Sequence, residues 1–134
     1  MVKKIIILLG FLIIQTITYG VYTYNKPHKN VLDSKEDVSM TSKELIIKFS
    51  KDSETSNTLF SNKIILASGN ISLVEKSKKS TILILDNGVK FEINNNLISD
   101  KKFTIDQFIK IKGLYSGFDE MFNEISLIQC SIQD

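Results

Sequence analysis

Apolar residues follow three different rhythms along this chain. The first is an almost unbroken run over residues 5–22, Ile5-Ile6-Ile7-Leu8-Leu9-Gly10-Phe11-Leu12-Ile13-Ile14 and onward to Tyr22, with no charge inside it and Lys3 and Lys4 just ahead. At 1.5 Å per residue such a run makes roughly 27 Å of helix, close to the hydrocarbon thickness of a bilayer. The second rhythm is helical. Thr41-Ser42-Lys43-Glu44 has the form of a capping box, and Leu45, Ile46 and Phe49 follow at helical spacing, with Leu59-Phe60 able to finish the same face. This predicts one helix over about 42–57.

After Asn62 the period falls to two. Ile65, Ala67, Gly69, Ile71 and Leu73 share one face of a long strand, and Gly69 in its middle marks a bulge or sharp bend. Thr81–Leu85 is a short apolar strand, Asn87-Gly88 is a hairpin signal, and Val89, Phe91 and Ile93 alternate with polar neighbours. Asn94-Asn95-Asn96 interrupts the pattern, so residues 97–106 are expected to hold a short helix or an irregular crossing. Ile109, Ile111 and Gly113 define a fourth strand ending near Tyr115, residues 116–123 a loop, and Ile125–Ile132 a fifth strand.

A long bent strand, a hairpin, a crossing segment and a second antiparallel pair, in that order, describe a five-stranded Greek-key barrel of the OB type. The expected fold is mainly β: an N-terminal transmembrane helix, an α-helix, then the barrel. A β-sandwich would need more strands. The expected core is Ile65, Ile71, Leu73, Val89, Phe91, Ile93, Ile109, Ile111 and Leu127. Residues 1–24 read as a membrane anchor or uncleaved signal, 25–40 as a juxtamembrane linker with the only proline, Pro27, and 41–134 as the folded domain.

A cleaved signal also begins with a basic tip and an apolar core, but it has a shorter core and small residues at the cut site. Here only Thr18-Tyr19-Gly20 offers a cut site, while Tyr19, Tyr22 and Tyr24 cluster where interfacial aromatics anchor a helix. Lys3 and Lys4 favour a cytoplasmic N-terminus, and Lys26 and Lys29 oppose it. The expected topology is single-pass with the domain outside the cytoplasm, periplasmic in a two-membrane cell, with a cleaved signal as the alternative.

Charge narrows the function classes. All 17 basic residues are lysine; without Lys3 and Lys4, 15 remain against 15 acids, so the domain is formally neutral. A nucleic-acid binder is expected to carry a basic footprint, and arginine is the residue suited to bidentate phosphate contacts. The single cysteine, Cys130, cannot form a disulfide within its own chain, and the single histidine, His28, offers neither a metal site nor a triad. No glycine-rich phosphate loop is present. No enzyme, no metal and no cofactor is therefore expected.

Lys26-Pro27-His28 with Val31, the capped segment with Glu44-Leu45 and Phe49, the run Lys63-Ile64-Ile65-Leu66-Ala67-Ser68-Gly69-Asn70-Ile71, then Ile111-Lys112-Gly113, Gly117 and Asn123-Glu124-Ile125-Ser126-Leu127-Ile128-Gln129-Cys130 resemble the tRNA_anti-like family of small bacterial OB-fold proteins. The resemblance covers Lys26 to the end. It implies a barrel that follows a membrane anchor or lipoprotein signal, and no particular activity. It also implies a second cysteine where this chain has Tyr115, a departure that removes any thiol pair.

OB-folds take ligands on the face of their second and third strands and in the loops after their first and fourth. The candidate ligand-binding residues are therefore Lys76, Lys78 and Lys79 in the first loop, and Tyr115 and Phe118 near the second, which also carries Asp119, Glu120 and Glu124. A basic loop welcomes phosphates and an acidic one repels them. The expectation is a membrane-tethered, non-enzymatic binding module whose partner is a protein or a small polar ligand. The alternative is a single-stranded nucleic-acid binder, disfavoured by the neutral charge and the absence of arginine.

Overall fold

A computed structural model describes residues 1–24 and 30–134. The expected linker motif Lys26-Pro27-His28 lies outside the described residues. The elements are α1 (Val2–Tyr24), β1 (Val38–Thr41), α2 (Ser42–Lys51), α3 (Ser53–Phe60), β2 (Ile64–Lys76), β3 (Ser80–Leu85), β4 (Val89–Asn94), a 3-10 turn (Asn95–Leu97), β5 (Phe108–Asp119) and β6 (Glu124–Gln133). None of the α1 side chains is buried. Its threonine hydroxyls are satisfied within the helix: Thr16, Thr18 and Thr23 donate to the carbonyls of Ile13, Ile14 and Tyr19 at 2.7–2.8 Å. Such back-bonding lets hydroxyls sit in an apolar helix surface without seeking water.

The barrel closes through β2. Its first half pairs antiparallel with β5, from Ile64 opposite Leu114 to Asn70 opposite Phe108. Its second half pairs antiparallel with β3, from Ile71 opposite Leu85 to Lys76 opposite Thr81. β3 and β4 form a hairpin, β4 runs parallel to β6, and β6 returns antiparallel to β5. This is the expected five-stranded OB order, with β1 added in parallel along the first half of β2. Between β4 and β5 the chain makes only the 3-10 turn and an irregular crossing.

One strand can serve two neighbours only if it bends, and the bend centres on Gly69. A Cβ there would overlap Ser42 Oγ and Asp86 Oδ2 and stand 3.2 Å from Ser42 Cβ. Fully buried Ser42 donates to the Asp86 carboxylate and to the Ser68 carbonyl, tying the start of α2 to the bend and to the β3–β4 turn. Just beyond, a bulge at Ser72 shifts the pairing, and its hydroxyl donates to Ile84 and accepts from the Asn87 N–H at 3.0 Å each. An extra residue inverts the inside–outside alternation. Leu73, expected in the core, is therefore exposed at 37%, and Val74 packs inward instead. The other eight expected core residues are buried.

Three local differences have equally plain causes. The expected single helix is two, because Asp52 is extended and caps both, donating its N–H to Lys48 and accepting from Thr55. The hairpin is present, but its left-handed residues are Asp86 and Asn87 (φ 48° and 61°) with Gly88 N–H donating to Leu85 O at 3.1 Å. Two positive φ values define a type I′ turn. Gly88 serves proximity instead: a Cβ there would lie 2.6 Å from Ile46 Cδ1. Finally, part of the stretch read as linker is built into the domain. Val31 is 1% exposed, and Lys112, buried in the wall of β5, donates to the carbonyls of Leu32 and Ser34.

The capping box forms as the sequence predicts. The Thr41 N–H donates to Glu44 Oε2 at 2.8 Å, and the Glu44 N–H donates to Thr41 Oγ1 at 3.2 Å. These bonds hold the Glu44 carboxyl below its ordinary pKa, as the Thr55 bonds do for Asp52.

Candidate ligand-binding surfaces of the barrel

The alternation of β3 and β4 sends Leu83, Leu85, Phe91 and Ile93 inward and leaves Ile82, Ile84, Lys90 and Glu92 on the outer face. The register sets Ile82 between Glu75 and Glu92, and Ile84 between Leu73 and Lys90. Lys90 is engaged by Glu124 at 2.8 Å. The face of the second and third barrel strands thus has an apolar centre, exposed Leu73 with half-buried Ile82 and Ile84, edged by Glu75, Glu92 and Glu124. Among the described residues it holds one lysine and no aromatic ring.

Lys78 and Lys79 are exposed on the β2–β3 loop, where the sequence places them, and exposed Lys76 is the last residue of β2 beside it. The loop is braced from behind: Asn95 donates its side-chain amide to Ser77 O at 2.9 Å and its N–H to Lys79 O at 3.0 Å, and accepts from Thr81 at 2.8 Å. Beside it lies a groove of about 350 Å³ that includes Lys76, Asn95 and Lys101. Lys101 also borders a second groove of about 390 Å³, with Lys102, Lys110 and Phe108, the last 61% exposed. Sequence reasoning missed Lys101, Lys102, Lys110 and Phe108. They lie 20 or more residues from the first loop in the sequence, and only barrel closure sets them beside it.

The other loop differs from expectation. β5 continues to Asp119, so Tyr115 is a strand residue and its side chain is buried. It packs with Phe49 at 5.5 Å and Phe60 at 6.5 Å between ring centroids, and its hydroxyl is bonded to Asn57 Oδ1. Burial raises the phenol above its ordinary pKa. Phe118 is half-buried against Phe49 at 5.0 Å. Neither ring is a free stacking platform; both close the core beneath α2 and α3. The exposed apolar residues of the loop are Met121 and Phe122, which the sequence reading passed over. Asp119 Oδ1 accepts from both of their N–H groups, at 2.9 and 3.2 Å, and so shapes the tip. Beside it a groove is bordered by Lys51, Asp52, Glu54 and Glu120, with Ser53 donating to Glu120 at 2.9 Å.

Cys130 is fully buried, donates to the Leu127 carbonyl, and backs onto Gly113, whose absent Cβ would come 2.8 Å from the sulfur. Burial pushes its thiol far above the ordinary range. Among the described residues, no three His, Cys, Asp or Glu side chains gather as a metal site.

A family model described as tRNA_anti-like matches residues 1–130. Among solved structures, a Klebsiella pneumoniae protein described as a "putative nucleic acid-binding lipoprotein" superposes with a TM-score of 0.57 at 9% identity, covering 81% of this chain and 100% of its own. A "putative aspartyl-tRNA synthetase" from Leishmania major superposes with a TM-score of 0.50 at 12% identity over 79% of this chain, which spans only 22% of that protein. At these identities the likeness is one of fold. No curated protein matches the chain in sequence.

Proposed function

The chain belongs to the tRNA_anti-like family, and from that premise we propose that it is a membrane-tethered, non-enzymatic OB module of the cell envelope that binds a protein partner. The observation that carries this is the outer face of β3 and β4. Its apolar centre and surplus of Glu75, Glu92 and Glu124 over Lys90 suit a polypeptide surface. They repel a phosphate chain. Sequence-tolerant binding of single strands needs rings on which bases stack, and this face has none among the described residues. The tether is α1, 23 residues long and apolar enough to cross a bilayer.

The test uses the full chain in neutral-lipid nanodiscs, titrated with labelled single-stranded DNA and RNA at about 50 and about 200 mM salt. No micromolar binding is expected. In parallel, a photo-crosslinking residue at Ile84 should give a discrete protein adduct in native membranes that the same residue at Lys43 does not. Micromolar oligonucleotide binding that weakens steeply with salt would replace this reading by the nucleic-acid one. The likeness to a protein described as nucleic acid-binding keeps that outcome within the test.

A further inference from the structure

The domain is neutral in total, but its charge is not evenly spread. Lys76, Lys78 and Lys79 at the β2–β3 loop, Lys101 and Lys102 on the crossing and Lys110 at the start of β5 gather at one end of the barrel, all exposed. The acids beside these lysines are Glu75, Asp100, Asp106 and the C-terminal Asp134, and among the described residues a 3.6 Å contact between Lys101 and Asp134 is the one ion pair between the two sets. Two large apolar side chains project from the same crossing, Ile105 at 55% and Phe108 at 61% exposure. The opposite end, with the β5–β6 loop and the start of α3, carries Asp52, Glu54, Asp119 and Glu120 against one lysine of the same groove, Lys51.

The chain enters the domain beside the lysine end. A cleft of about 230 Å³ is bordered by Asn30, Val31 and Leu32 on one side and by Asn94 and Leu97 on the other. Asn95 and Asn96, between those last two, line the lysine groove. Five residues separate Tyr24, the end of α1, from Asn30. Six Cα steps span at most about 20 Å, less than the width of a domain of this size, roughly 35 Å. With α1 in a bilayer, the surface beside Asn30 is held close to the headgroups.

We propose that the lysine end of the barrel docks on an anionic lipid surface, with Phe108 and Ile105 entering the headgroup layer, so that the acidic end and the Met121-Phe122 tip point away from the membrane. This rests on the reading of α1 as a retained tether. The argument is charge complementarity joined to tether length. Each lysine brought to an anionic leaflet strengthens attachment about fivefold, and the acidic pole is repelled from the same leaflet. The membrane-distal orientation leaves the face of Ile82 and Ile84 accessible from the side.

The full chain is reconstituted into vesicles of phosphatidylcholine alone or with about one-third phosphatidylglycerol, with a fluorophore on Lys78→Cys or on Glu120→Cys and a quencher in the headgroups. Buried Cys130 stays unlabelled in the folded protein. Quenching at position 78 should exceed that at position 120 at least threefold in anionic vesicles. The difference should collapse in neutral vesicles and in a variant with Lys76, Lys79, Lys101, Lys102 and Lys110 changed to Gln, and return when the five are Arg. Equal quenching at both positions, or a difference indifferent to lipid charge, overturns the docking while leaving the tether intact. Failure of the chain to float with vesicles after an alkaline wash overturns the tether and the docking with it. If the same lysines instead confer salt-sensitive oligonucleotide binding and no lipid dependence, the end is a nucleic-acid surface and the proposal is wrong.

Discussion

Gly69→Ala tests whether the barrel is held by the contact between the bend in β2 and the start of α2. The added methyl would occupy space already held by Ser42 Oγ and Asp86 Oδ2, with Ser42 Cβ only 3.2 Å away. Gly69 does not need a positive φ, so the cost is steric and polar and not torsional. Overpacking of this kind costs about 1–3 kcal/mol. Pushing Ser42 aside also breaks its bond to the Asp86 carboxylate, worth about 1.5–3 kcal/mol for a charged acceptor. Ser42 retains the Ser68 carbonyl at 3.2 Å, so the two costs overlap, and a total of about 2–4 kcal/mol follows. For a domain near 100 residues that lowers Tm by roughly 10–20 °C. The assay is a thermal melt of the full chain in detergent, read by near-ultraviolet circular dichroism of the aromatic cluster. A double-mutant cycle adds the decisive arm. Ser42→Ala removes one clashing oxygen and frees half-buried Asp86 to swing outward, so the pair should cost less than the sum of its parts by about 1 kcal/mol. A Gly69→Ala melt within about 2 °C of the parent, or strict additivity, would refute the reasoning.

Phe49→Ala should cost about 3–5 kcal/mol, since Phe49 is 1% exposed and meets Phe60, Tyr115 and Phe118 with centroids 5.0–5.6 Å away; chemical denaturation at unchanged slope checks it. Cys130 should not react with a thiol reagent at pH 8 in the folded protein and should react at once in denaturant, because burial holds the thiol protonated; rapid labelling of the native state would contradict its packing. Glu44 has a folded-state pKa below its unfolded one, so its stabilisation is present above the unfolded pKa, near 4.3, and is lost as pH falls through the folded value. Glu44→Gln should accordingly flatten the fall in Tm on acidification from about pH 5 to about pH 3, and an unchanged slope would count against the capping box as its source.

Features that depend on neighbours in the chain were legible from the order of residues alone. The apolar run of α1, the Thr41–Glu44 capping box, the alternation of Val89, Phe91 and Ile93, and the OB strand order all arise from local periodicity and short-range chemistry, which any segment carries with it. What needed the folded molecule were the places where chain-distant groups compete for one volume or combine their charge. Gly69 announced a bend or bulge in β2, but that the bulge falls at Ser72, where β2 changes partners from β5 to β3 and Leu73 turns outward, depends on strands distant in the chain. Asp52 ends one helix and starts another, and the break lets Phe49 and Phe60, from different helices, both pack on the ring of Tyr115. Tyr115 is core and not loop because β5 runs on to Asp119 beneath them. Formal neutrality is a sum along the chain, whereas the lysine end is a sum in space. Lys76, Lys78 and Lys79 meet Lys101, Lys102 and Lys110 only because closing the barrel brings the β2–β3 loop against the crossing before β5. Electrostatic potential follows distance through space, and sequence separation does not report it.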